Sequence, residues 1–192
     1  MGAARQPTDL VAAVGGPWGM VESAVPAVAF VIAYSASGSD TRTAAVVAVS
    51  LAGVFAVARL VRRESPLRAL SGLVGVAFAA FIAARSGKAE NFFLPGLLLN
   101  AAYAAAMVIS IAVRRPLVGV LIGRRDRATT RATWLWAGLF SVRLAAQLPL
   151  FLAGAVVALG VARTVMGLPL FALGLWLTFL MVRQRAATDA AH

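Results

Sequence analysis

Six stretches of this chain are apolar enough to sit in a bilayer: residues 17–35, 43–61, 70–84, 92–113, 132–156 and 165–182. A helix needs about 20 mostly apolar residues to cross the hydrocarbon core. The third stretch is short and is expected to begin nearer Leu67. In lipid every backbone donor and acceptor has to be satisfied within the segment, so stretches of this kind are helices. Composition agrees. The chain is 61% hydrophobic and 13% charged, with a mean hydropathy of +0.86, whereas soluble domains carry about 45–50% apolar and about 25% charged residues. A soluble core of this size has no means of hiding so much apolar surface. The expected fold is all-α, a polytopic membrane bundle of six transmembrane helices.

Polar signals punctuate the stretches: Ser37-Gly38-Ser39-Asp40, Arg62-Arg63-Glu64-Ser65-Pro66, Gly87-Lys88-Ala89-Glu90-Asn91, and the charged run from Gly123 to Thr130. The cations are distributed unevenly among them. Thirteen of the 18 fall on the N-terminal segment (Arg5), the second loop (Arg59, Arg62, Arg63, Arg68), the fourth loop (Arg114, Arg115, Arg124, Arg125, Arg127, Arg131) and the C-terminal tail (Arg183, Arg185). The other three loops hold four, at Arg42, Arg85, Lys88 and Arg163, and Arg143 lies inside the fifth stretch. By the positive-inside rule both termini are expected in the cytoplasm, with the chain in the cell membrane. Residues 1–16 then form a cytoplasmic N-terminal segment without a signal-peptide pattern. Residues 17–183 form the transmembrane domain and residues 184–192 a cytoplasmic tail.

The net charge of +11 is expected to meet anionic membrane headgroups at the cytoplasmic arginine clusters. Nucleic acid is not an expected partner, because the basic residues sit at helix ends without interleaved aromatics. There is no cysteine, and the one histidine is His192 at the end of the chain, so disulfide, thiol and histidine chemistry are excluded. With seven acidic residues no DDxxD pair exists to hold magnesium and diphosphate. No phosphate-binding glycine motif, Ser–His–Asp set or metal cluster is present. No metal or cofactor is expected, and no catalytic residue can be assigned. An enzyme built on this chain would have to work with Glu22, arginines, amides and Tyr103.

The informative residues are polar ones in apolar stretches, where an ionised group costs about 2.5–3.5 kcal/mol on insertion scales unless it faces the interior with a partner. Glu22 lies one turn into the first stretch. Arg143 lies near the middle of the fifth, with Gln147 one turn on and Pro149 beyond. Both Glu22 and Arg143 are expected to face the interior, paired with each other or sharing a ligand; the alternative for Glu22 is an interfacial position. Asn100, followed by Tyr103, either joins two helices by a side-chain hydrogen bond or lines a ligand cavity. On the outer side Arg85, Glu90, Asn91 and Arg163 form a second polar group, in which Arg85 and Glu90 can pair across the turn. Residues 116–123 are apolar but too short to cross, so they are re-entrant or interfacial. Arg62-Arg63 leading to Pro66-Leu67 and Arg114-Arg115 leading to Pro116-Leu117 look like one device used twice, a hint of repeated helical hairpins. Pro26, Pro149 and Pro169 are positioned to kink spans, and Trp134, Trp136 and Trp176 mark interfaces or fill the core.

Several phrases carry a family resemblance: Gly16-Pro17-Trp18-Gly19 before Glu22 and Pro26, Gly87 through Gly96, and Arg114-Arg115-Pro116-Leu117-Val118-Gly119. So do Phe140-Ser141-Val142-Arg143 with Gln147-Leu148-Pro149-Leu150, and Arg163 followed by Gly167-Leu168-Pro169-Leu170. From about Asp9 to Arg183 the chain resembles an uncharacterised actinobacterial membrane family, domain of unknown function 3159. The resemblance implies a compact multispan bundle and groups Glu22, Arg114, Arg143 and Arg163 as motif members. It brings no substrate.

The candidate ligand-binding residues are therefore Glu22, Asn100, Arg114, Arg143, Gln147 and Arg163. Three readings stay open. A small carrier or channel-like protein would pass an anionic or zwitterionic solute along an interior Arg/Glu site. A membrane enzyme or binding protein would hold the phosphate or carboxylate head of a lipid-like molecule. A structural envelope protein would use the polar residues only to fix packing. A homodimer through Ala/Gly-rich faces is compatible with so small a bundle.

Overall fold

The computed structural model of the chain describes residues 16–123 and 126–189, and their side chains apart from those of 16–23, 68, 168, 179 and 181–189. Among the described residues the chain is helical, with no strand. The helices are α1 (Gly16–Ala36), α2 (Thr41–Val61), α3 (Pro66–Ser86), a 3-10 helix (Ala89–Phe93), α4 (Leu94–Ala112), α5 (Leu117–Ile122), α6 (Arg127–Leu152) and α7 (Val156–Asp189). Among the described residues five segments are long and apolar enough to cross a membrane: Thr41–Val61, Ala69–Ser86, Ala89–Ala112, Arg127–Leu152 and Val156–Thr178. Helix α1 is 21 residues long, and its described apolar part is Ala24–Ala36. The all-helical, polytopic membrane architecture expected from the hydropathy pattern is the one found.

Local chemistry sets the helix ends. Asp40 caps α2: its carboxylate accepts from the backbone N–H groups of Arg42 and Thr43 at 3.0 and 3.2 Å, and from the Thr43 hydroxyl. These bonds satisfy donors that a first helical turn leaves open. They also hold the Asp40 carboxyl below its usual range, the Thr43 hydroxyl contributing most. Helix α3 starts with Pro66 at its first turn and stops at Gly87 in the left-handed region, the positions where each residue costs least.

The chain divides into two units, the first comprising Met1–Pro95 with Leu150–Thr164 and the second Gly96–Pro149 with Val165–His192. In the first, α2 packs against both α1 and α3. Its buried residues are all alanines, Ala44, Ala45, Ala48, Ala52 and Ala56. Apart from Ala45 they recur every fourth residue, one face of a helix. Small side chains let helix backbones approach closely, the usual basis of packing in lipid. The larger core groups are aromatic: Phe30 stacks on Phe92 with centroids 4.0 Å apart and meets Phe93 edge-on at 6.2 Å. Val156 and Leu159 of α7 close this core. Gly160 beside them is where α7 meets Val31, and a Cβ there would overlap the Val31 side chain.

In the second unit Val118, Ala132 and Trp136 form the core, with Met107, Phe140 and Phe171 packed against them. Residues 116–123 fold as the six-residue helix α5, about 9 Å long at 1.5 Å per residue. Its first two N–H groups do not go unpaired. Leu117 donates to the Ser110 hydroxyl at 3.2 Å and Val118 to the Thr133 hydroxyl at 3.3 Å, so α4 and α6 both pin the start of α5.

Two boundaries differ from those read in the sequence. The fifth stretch was expected to run to Val156, but α6 ends at Leu152 and α7 starts at Val156. The turn is made by Gly154 at φ 65, with Ala155 donating to the Leu150 carbonyl at 2.9 Å. Nothing in Leu152-Ala153-Gly154-Ala155 lowers hydropathy, so a search for polar breaks passes over it. Arg163, assigned to the fifth loop, consequently lies inside α7. The Arg85–Glu90 pairing also differs. No ion pair joins them among the described residues, and the Glu90 carboxylate lies about 4.0 Å from where a Cβ of Gly154 would stand.

Candidate functional site

The inward face of α6 is read from its sequence in helical steps: Thr129, Thr133, Trp136, Phe140, Arg143 and Gln147 succeed one another at intervals of three or four, one stripe of a helix. Thr129, Thr133, Trp136 and Gln147 are buried, and Phe140 and Arg143 are half-buried. The upper part of the stripe is satisfied. Thr133 donates to the Thr129 carbonyl at 2.8 Å, and the Trp136 indole N–H donates to the Thr178 hydroxyl at 3.1 Å. Trp136 also meets Phe171 at 5.2 Å and Phe140 at 5.9 Å between centroids.

Across from this face α7 presents Gly167 and Gly174. A Cβ at Gly174 would come within 3.2 Å of the Trp136 ring, and one at Gly167 would stand 4.0 Å from Arg143 Nη2. The pairs Trp136–Gly174 and Arg143–Gly167 show that the two helices run antiparallel here. Gly167 thus forms the floor beneath the guanidinium.

At Arg143 and Gln147 the stripe changes character. Arg143 Nε and Gln147 Nε2 are both buried, and neither has a hydrogen-bond partner among the described residues. Gln147 is only 2% exposed. Leaving one buried donor unsatisfied costs about 1–3 kcal/mol, and more when it is charged. Two such donors stand one turn apart on α6, neither of them bonded to an acceptor among the described residues. A guanidinium and a carboxamide suit a carboxylate or a phosphate oxygen. Among the described residues no group of three His, Cys, Asp or Glu stands close enough to hold a metal ion.

The other residues singled out in the sequence are dispersed. Asn100 is buried, 8% exposed, on the face of α4 that also carries Met107. Among the described residues no hydrogen bond joins it to Arg143 or Gln147. Arg114 follows the last turn of α4 and is exposed, next to the α5 segment that Thr133 anchors. Arg143 lies ten residues further along α6 than Thr133, about 15 Å at helical rise. Arg163 belongs to the first unit, where its guanidinium stands 5.7 Å from the centroid of Phe93, a cation–π distance. The side chain of Glu22 lies outside the described residues. Of the tryptophans singled out in the sequence, Trp136 fills the core while Trp134 and Trp176 are exposed. Ser110 and Thr133 were not picked out in the sequence, and Gly167 appeared there only within a family phrase. Gly167 is recoverable from the antiparallel register once the turn at Gly154 is known, whereas small hydroxyls in an apolar run carry no distinguishing signal.

Helices that span a membrane, with a half-buried arginine and a buried amide inside one of them, define the class: a multi-pass helical membrane protein with two unsatisfied buried donors on one helix. Within that class the chain belongs to the family described as protein of unknown function (DUF3159), which matches residues 14–189. No curated protein and no solved structure matches it.

Proposed function

We propose that this protein is a small carrier for an anionic or zwitterionic solute, held at Arg143 and Gln147. The observation that carries the reading is the pair of buried, unpartnered donors on one face of α6. An arginine in a span without an acceptor is costly, and a ligand carboxylate or phosphate removes that cost. Pro149 and Pro169, inside α6 and α7, each remove one helical hydrogen bond and soften the helix near the site. In this reading Asn100, in the same unit as the two donors, lines the route, and Glu22 supplies a group that can couple movement to protons.

A second reading, a binding protein or enzyme for a lipid-like molecule, is favoured by the flank of the site. Ala145 and Ala146, beside the two donors, are small and exposed, which leaves room for an acyl chain along α6.

The same proposal covers topology and setting. Helix α1 is taken as a sixth span, so that residues 17–183 form the membrane domain and both termini lie in the cytoplasm. The thirteen-to-four distribution of cations supports this orientation, although moving the last turn to Gly154 takes Arg163 out of the loops. The family resemblance supports an actinobacterial cell membrane. A homodimer through small-residue faces belongs to the proposal as well.

Native mass spectrometry of gently purified protein, wild type and Arg143→Leu, is the test. A bound anion or lipid in the wild type that is lost in the variant is expected, and its mass separates solute from lipid. Proteoliposome flux of a matching solute, lost in Arg143→Leu and in Gln147→Leu, then establishes transport. Unchanged flux in both variants would sink the site and leave a packing role for Arg143.

A further inference from the structure

Helix α4 ends in a turn whose left-handed position is occupied by Arg114, at φ 55. Arg115 donates to the Ser110 carbonyl at 2.8 Å and Arg114 to the Ile111 carbonyl at 2.9 Å, the bonds of a helix stop for which glycine is the usual choice. The chain uses glycine in this backbone region elsewhere, at Gly38, Gly87, Gly123 and Gly154. A side chain with a Cβ is disfavoured there, so Arg114 is kept against local preference. Arg63, after α2, is the one other arginine with positive φ among the described residues, at φ 58.

What surrounds Arg114 shows what the arginine can do. Arg114 and Arg115 are exposed, and so are Arg127 and Arg131 in the first turns of α6. Among the described residues no ion pair involves any of these four side chains. The one acid between residues 114 and 131, Asp126, is engaged at the start of α6, where it accepts from the Thr129 N–H at 2.8 Å. Between the two arginine pairs lies α5. Its Val118 and Gly119 are buried, while Val120, Leu121 and Ile122 are 53%, 76% and 44% exposed. This helix is too short to cross a bilayer. An exposed apolar edge flanked by unpaired cations matches the boundary between acyl chains and headgroups.

We propose that this end of the second unit docks on an anionic leaflet, with Val120, Leu121 and Ile122 seated at the acyl boundary and Arg114, Arg115, Arg127 and Arg131 on lipid phosphates. The surface is separate from the Arg143 site and does not depend on the carrier reading. The strained arginine is then explained: glycine would make the turn more easily but would bring no charge to the headgroups.

The test is thermal unfolding of the full chain in nanodiscs of phosphatidylcholine alone or mixed with phosphatidylglycerol. Wild type is expected to unfold at a higher temperature in the anionic discs, and the rise should shrink as salt is raised to about 0.5 M. Arg114→Gly should lower the rise, by less than the loss of all four arginines does. It should not unfold earlier than wild type in phosphatidylcholine, because glycine suits the turn. Replacing all four arginines by glutamine should cut the rise further, leaving only what the other arginines of the chain contribute. Equal midpoints in the two lipids, or a rise that salt leaves unchanged, overturn the proposal even if the fourfold variant does not fold. A rise that is undiminished in the fourfold variant does the same. An Arg114→Gly variant destabilised equally in both discs would show the arginine to be structural.

Discussion

Single residues in this chain are constrained most tightly where two helices touch through a glycine. At Gly160 the space a Cβ needs is already taken by the branched Val31 side chain, while at Gly174 the nearest atom is the end of the flexible Leu139 side chain. Gly160→Ala is therefore expected to destabilise by about 1–3 kcal/mol, as overpacking does, and Gly174→Ala by less; thermal unfolding in detergent ranks the two. Arg143 behaves in the opposite sense. An uncompensated charge held in an apolar span costs stability, so removing the half-buried Arg143 guanidinium removes that cost. Arg143→Leu should thus unfold no earlier than wild type without ligand while losing whatever the site binds, and a clear loss of stability would mean that Arg143 already has its partner. Arg143 and Gln147 could be singled out in the sequence because polar atoms in an apolar run demand explanation. Gly167 could not, since seventeen glycines are all equally compatible with packing in lipid.

At the scale of the element, caps and turns carry the information. Asp40 is exposed and outside the spans, and its carboxyl is held below its ordinary value by the Thr43 hydroxyl and the amides of Arg42 and Thr43. A depressed carboxyl stabilises the fold fully above its unfolded value of about 3.9 and loses that contribution as pH falls through the lower folded value. The amide resonances of Arg42 and Thr43 should shift through that acid range. In Asp40→Asn, which keeps a capping oxygen without a titrating charge, they should stay in place. For α5 the expected change is Thr133→Val, which strands the Val118 N–H at a cost of about 1–3 kcal/mol and should speed hydrogen exchange at Val118 while α4 stays protected. Hydropathy located α1 to α4 to within a few residues because length and apolarity are additive along the sequence, but it put the start of α7 at 165 where the helix begins at Val156. It missed the end of α6 because the Gly154 turn is a matter of one dihedral angle, and it left α5 undecided because so short an apolar run fits a re-entrant piece as well as an interfacial one.

For the whole molecule the membrane orientation is the property most open to direct measurement, since a chain without cysteine accepts reporter thiols at will. Ser39→Cys and Lys88→Cys should react with an impermeant reagent from outside intact cells, and Arg115→Cys only after the membrane is opened; labelling of Arg115→Cys in intact cells would invert or break the six-span topology. The division into two units has a further effect, on synthesis. Residues up to Pro95 share a core with Leu150–Thr164, and residues from Gly96 to Pro149 share theirs with Val165 onward. The first half of the protein therefore leaves the ribosome without Val156 and Leu159, which it needs to close around Phe30 and Phe93. Its helices can enter the bilayer one after another, but neither unit can finish packing until the last hairpin has been made, so a chain cut short before α7 would leave both halves open to quality-control proteases.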